Sequence, residues 1–130
     1  MENVVAVQTS PTFGPWVIPH NLQTLAIHET ARLHQLRIMR VITEFSTDNG
    51  RLDQTCEALR ADNQHQGQRF VLLTSAHQLS VVCCRDFARI DQSLRICTFL
   101  ESLSCTVHEA LQYVTTVTPL CSQPIVNQFG

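Results

Sequence analysis

The chain contains no lysine. All nine of its basic residues are arginine, set against eleven acids, for a formal net charge of −2. Lysine is ordinarily among the commonest residues. Its complete absence points to overlapping reading frames, as in compact viral genomes, or to selection against lysine modification. GC-rich coding also depletes lysine, but it enriches glycine, and glycine is scarce: four residues, isolated at Gly14, Gly50, Gly67 and Gly130. Glycines so isolated exclude a Gly-rich phosphate loop. Charge is scarce as well, at 15% of residues where about 25% is usual. Without a net positive field there is no global attraction for nucleic acid or an anionic membrane. No apolar run approaches the roughly 18 residues of a spanning helix. The opening MENVVAVQTS has an acid at position 2 and no basic n-region, so it does not read as a signal peptide. A cytoplasmic protein is expected, in the host cell if viral. Its six cysteines are then reduced core thiols rather than a disulfide framework.

What is present is apolar. Hydrophobic residues make up 44% of 130 positions, enough for one domain with a core of its own. High apolar content with little charge implies that another chain covers part of the surface, so self-association is expected. Residues 1–20 read as an extended arm. Val4, Val5 and Val7 suit a short strand, Pro11, Pro15 and Pro19 interrupt regular structure, and Phe13 and Trp16 anchor the arm to the domain or to a partner. Residues 21–118 form the α+β domain and 119–130 a tail. Asn21 suits the N-cap of a helix over 22–35. One stripe of that helix holds Leu22, Leu25, Ala26 and Leu33; a second holds Ile27, Ala31 and His34. One stripe should meet the sheet, and the other the arm or a second subunit; the second stripe is the one assigned to contact.

A strand is expected over 36–46, an Asn49-Gly50 turn after it, and a short helix from Asp53 carrying Leu52, Cys56 and Leu59 on one face. The stretch RFVLLTSAHQLSVVCCR, residues 69–85, organises the remainder. Two short apolar runs, 70–74 and 79–84, flank four polar or small residues. That pattern reads as an antiparallel hairpin. A further strand follows over 94–100. Thr106 and Glu109 fit a capping box for a last helix whose buried face is Val107, Ala110, Leu111 and Val114. The fold expected is a single α+β domain, with an antiparallel sheet of three to five strands packed against two or three helices. In element order alone this is similar to small roadblock- or longin-type domains, a resemblance that implies a dimerising adaptor.

Few constellations carry chemistry. His28-Glu29 and His34 stand six apart, whereas a helical zinc-protease pair must stand four apart to share a face. Glu29, lying in the leucine stripe, calls for an ion pair such as Arg32 or for an exposed stripe edge. Cys83, Cys84, Cys97, Cys105 and His108 contain no Cys-x-x-Cys pair. Cys105 with His108 is one short pair at a helix start, so buried thiols are expected and neither a metal nor a cofactor. Arg37, Arg40, Arg85, Arg89 and Arg95 would touch phosphates if they converged; a solvated rim is the plainer expectation. The primary reading is a non-enzymatic protein-interaction domain that binds itself and a further, unidentified protein, with a viral accessory protein acting on host proteins as its sharper form. Phe13, Trp16, Ile27, Ala31 and His34 are its contact residues. The alternatives are an RNA-binding regulator using the arginines on a dimer, and a small-ligand or enzyme module.

Overall fold

A computed structural model describes residues 2–45, 51–61 and 69–116. The elements in order are strand β1 (Glu2–Thr9), a small hairpin of β2 (Thr12–Phe13) and β3 (Trp16–Val17), helix α1 (His20–Leu33), β4 (Leu36–Glu44), α2 (Asp53–Ala61), β5 (Phe70–Leu73), a 3₁₀ turn (Ala76–Gln78), α3 (Val81–Ile90), β6 (Arg95–Thr98), β7 (Ser104–Thr106) and α4 (Val107–Thr116). The main sheet has the order β4-β1-β5-β6-β7. β1 pairs parallel with both β4 and β5, and β5 pairs parallel with β6; only β7 runs antiparallel.

The domain is thus mixed α and β, but its sheet is mostly parallel, which corrects the antiparallel expectation. The source of the difference is the second apolar run of 69–85. Residues 79–84 belong to the start of a helix, not a strand. Ser80 sits at its N-cap in extended conformation, and its hydroxyl accepts the amide of Cys83 at 3.0 Å. The residues just before it are not a hairpin turn. Ser75 caps a 3₁₀ turn, and the Gln78 side-chain oxygen Oε1 accepts the amides of Thr74 and Ser75 at 2.9 and 3.0 Å. A six-residue apolar run bounded by caps is ambiguous between buried strand and buried helix. With a helix here, β5-α3-β6 is a parallel crossover unit. The element order that carried the resemblance to roadblock and longin-type domains is therefore not the observed one.

The segment read as an arm is corrected too. Its first residues form β1, an interior strand paired on both edges. Val4, Ala6 and Val7 are buried there. The prolines terminate β1 and frame the β2–β3 hairpin, whose Gly14 has φ +57. A Cβ at Gly14 would stand 2.4 Å from His77 Nδ1, so the hairpin lies tight against the 3₁₀ turn. The strand at 36–46 is found as β4, the short helix as α2 and the last helix as α4. Thr106 and Glu109 form the expected capping box, the carboxylate accepting the Thr106 amide at 3.1 Å and the Thr106 hydroxyl accepting the Glu109 amide at 3.2 Å. The first turn of α2 is held by Glu44, a buried carboxylate at the end of β4. It accepts the Thr55 amide at 2.7 Å and the Thr55 hydroxyl at 3.1 Å. The Asn49-Gly50 turn and the tail 119–130 lie outside the described residues.

The two faces of the sheet are covered unequally. On one face α2, α3 and α4 share a core with β1, β5 and β6, centred on Leu59, Val71, Phe87, Ile96 and Val107. On the other face, among the described residues, α1 packs with Ile27 and Ala31 against Val4, Ala6, Leu72 and Cys97. No described helix is long and apolar enough to cross a membrane.

Candidate functional site

In open parallel sheets, ligands favour the crevice at the carboxyl ends of neighbouring strands whose connections leave in opposite directions. Here that place lies between β1 and β5, since β1 connects outward to β4 and β5 connects the other way to β6. Two buried glutamines fill it. The Gln23 amide, from the first turn of α1, donates to the carbonyls of Thr9 and Ile18 at 3.0 and 2.9 Å, and its oxygen accepts the Thr9 amide at 3.0 Å. Gln78 donates to the Thr9 hydroxyl at 2.8 Å and to the Gln23 oxygen at 3.1 Å. Each side-chain amide has two donors and one two-lone-pair acceptor, and in both residues every position is used. His20 Nε2 lies 2.8 Å from the Thr9 carbonyl. Glu101 completes the rim, accepting the Ser75 hydroxyl at 2.6 Å and the Ala76 amide at 2.8 Å. The crevice is a fully bonded polar plug stitching β1 to β5.

Beside the plug, on the α1 face, an open apolar groove of about 450 Å³ runs between α1 and the β6–β7 connection. Ile18, Leu22 and Leu25 form one wall and Phe99 and Leu100 the other, with Thr74 between them. The second wall is rigid. The amides of Phe99 and Leu100 donate to the carbonyls of Leu73 and Thr74 at 3.2 and 2.9 Å, and the turn closes through Ser102 at φ +54. Leu22, Leu25, Phe99 and Leu100 nevertheless remain 48%, 66%, 38% and 37% exposed. Thr74 is 1% exposed, and its hydroxyl finds no hydrogen-bond partner among the described residues. Glu29 at the groove edge is held by Arg32, whose Nε donates at 3.0 Å. That hydrogen bond keeps the Glu29 carboxyl below its ordinary range.

The residues expected to make contacts are distributed differently. Ile27 and Ala31 are 1% and 5% exposed, spent on the chain's own sheet. It is the other stripe, Leu22, Leu25 and Leu33, that faces outward. The reason is visible in the side chains: Gln23, Ala26, Ile27, Thr30 and Ala31 make up the sheet-facing side, and the two alanines leave room for close approach while Gln23 reaches the strand ends. Phe13 is buried, whereas Trp16 and His34 lie at the surface.

The arginines do not form one patch. Arg37 and Arg40 are exposed on the outer strand β4, and Arg95 lies three strands away on β6, where it donates to the Ser104 carbonyl at 3.0 Å. Arg85 and Arg89 are on α3, and Arg89 stands 3.5 Å from Asp86.

Cys56, Cys83, Cys84, Cys97 and Cys105 are all unpaired, buried thiols. Burial pushes Cys56 up to about 11 and raises Cys97 and Cys105. The hydrogen bond with Cys83 and burial raise Cys84. A raised thiol is a poor nucleophile and a poor metal ligand at neutral pH. Among the described residues no three of His, Cys, Asp and Glu converge as a metal site would require, and His108 is exposed on α4 while Cys105 is inside. The groove-lining Phe99 and Leu100 and the plug residues Gln23 and Gln78 were not singled out by sequence reasoning. A glutamine among Ala26, Ile27 and Thr30 on a sheet-facing stripe was the available signal for the plug. Comparison with family models, with curated proteins and with solved structures yields no match for this chain.

Proposed function

We propose that the chain is a non-enzymatic protein-interaction domain working through the apolar groove between α1 and the β6–β7 connection. The observation that carries this reading is the pair of walls, Leu22–Leu25 on α1 and Phe99–Leu100 tied by backbone hydrogen bonds to β5 and Thr74, both left in water beside Ile18. Large apolar side chains clustered in this way mark contact surfaces. Supporting it, the crevice where such folds usually receive small ligands is occupied by Gln23 and Gln78 with all their hydrogen bonds made. Burial raises the Cys56, Cys97 and Cys105 thiols; hydrogen bonds with Cys84 and Ser80 lower Cys83, which is itself fully buried.

The test is native mass spectrometry of the tagged chain from cell extract, beside Leu100→Glu. The wild type is expected to carry added protein mass and Leu100→Glu to lose it, with circular dichroism unchanged. Added mass that survives both Leu100→Glu and Leu25→Glu would assign the interaction to another surface.

A further inference from the structure

We propose that the groove's occupant is a second copy of this chain, with α1 of each copy lying antiparallel against α1 of the other about a two-fold axis near the middle of the helix. The proposal deepens the interaction reading above and rests on it.

Self-complementarity is the first argument. A two-fold interface needs one patch that supplies both ridge and groove. Here both are present side by side. Leu22, Leu25 and Leu33 stand out from α1 at 48%, 66% and 62% exposure, at spacings of three and eight, which keep them on one stripe with Glu29 between. Next to that ridge runs the groove, on a sheet face where α1 is the one helix among the described residues. Turning one copy over sets Leu22 of one helix opposite Leu33 of the other. Glu29, between the leucines on the same stripe, then falls nearest the crossing, beside Arg32 of its own helix.

The second argument is area. Taking roughly 150–200 Å² for a fully exposed side chain of this size, the exposures of Leu22, Leu25, Leu33, Phe99 and Leu100 amount to about 400–500 Å² of apolar surface per copy. A standard interface buries about 800 Å² per partner, of which about 60% is apolar. The patch therefore has the apolar content that such an interface needs. Charge at the contact is compensated within each helix, at the desolvation cost of one ion pair per copy. The nearest ionised groups on the stripe side, Glu29 and Arg32, are already paired within the helix, so docking strands no lone charge.

The experiment is sedimentation velocity of the purified full chain from low micromolar concentration upward. The wild type is expected as a dimer. Leu25→Glu is expected to weaken dimerisation about 30-fold or more, since a hot-spot loss of about 2 kcal/mol has that effect, with an unchanged circular dichroism spectrum. The geometry is read separately by mild oxidation of the double variant Leu22→Cys, Leu33→Cys. A disulfide joining a residue 22 peptide to a residue 33 peptide between copies is expected. Met39→Cys, exposed on β4, serves as the control and should not cross-link. A wild type that stays monomeric throughout overturns the dimer; if Leu100→Glu then still sheds protein mass from cell extract, the interaction reading survives alone. A dimer indifferent to Leu25→Glu, or one that forms no 22–33 link, overturns this arrangement of the two helices.

Discussion

Gln23 is the residue on which the most backbone depends. Its side chain, at zero exposure, closes the amide and carbonyl of Thr9 and the carbonyl of Ile18, and it receives Gln78. Removing one partner from a buried polar group costs more than a hydrogen bond is worth, because the group left behind has lost water as well. Gln23→Leu keeps roughly the same volume and strands the Thr9 amide. It is expected to lower stability by about 2–4 kcal/mol, read as a reduced urea midpoint with an unchanged slope. His28→Leu on the same helix, where the residue is exposed, should shift the midpoint by less than about 0.5 kcal/mol. At this scale some features were legible from residue types. The capping box of Thr106 and Glu109 follows from spacing alone, and Glu29 does pair with Arg32. Gln23 was not legible as a plug, because its role is set by strand ends distant in sequence.

Elements were legible where periodicity or capping was unambiguous and obscure where a run was short. α1, β4, α2, β6 and α4 all lie where the pattern put them. The assignment of α1's two stripes was inverted, since leucine content suggested the buried side while size decided it: Ala26, Ile27 and Ala31 fit the sheet and three leucines do not. α3 was read as a strand because 79–84 is too short to show a helical period. Three elements meet at Arg69 and Asp91. Arg69, just before β5, donates to the Asp91 carboxylate at the end of α3 at 3.0 Å and to the Leu59 carbonyl in α2 at 3.0 Å. Partial burial raises the Asp91 pKa, but the Ser93 hydroxyl and amide and the Arg69 guanidinium outweigh it, and the carboxyl ends below its ordinary value. A carboxyl lowered in the folded state contributes stability above its unfolded pKa, about 4, and loses it as pH falls through the lower folded value. Asp91→Asn should therefore cost about 1 kcal/mol at pH 7 and flatten the acid limb of the stability profile below about pH 4. Thermal melts of both proteins from pH 7 to pH 2 check this; equal acid slopes would refute it.

For the whole molecule, the mixed α and β class and the single domain were legible, but not strand direction. Direction depends on whether the segment joining two strands is a turn or a helix, and that choice was made at 75–84. The consequence, among the described residues, is a sheet with three helices on one side and one on the other. That imbalance leaves leucines of α1 in water, and it is the structural counterpart of a composition with 44% hydrophobic and only 15% charged residues. If a second copy covers the exposed side, folding and association are one equilibrium, and the melting temperature must depend on concentration. At about 0.7 kcal/mol of unfolding enthalpy per residue, a dimer of two 130-residue chains should melt about 3 °C higher for each tenfold rise in protein concentration. Leu25→Glu weakens the mutual cover without touching the plug or the three-helix core, so at any one concentration its melting temperature should be lower, and at the dilute end, where it is monomeric, it should stop changing with concentration. Scanning calorimetry of both proteins over a hundredfold concentration range separates the cases. A wild-type melting temperature that does not move would mean that one copy bears its exposed leucines alone.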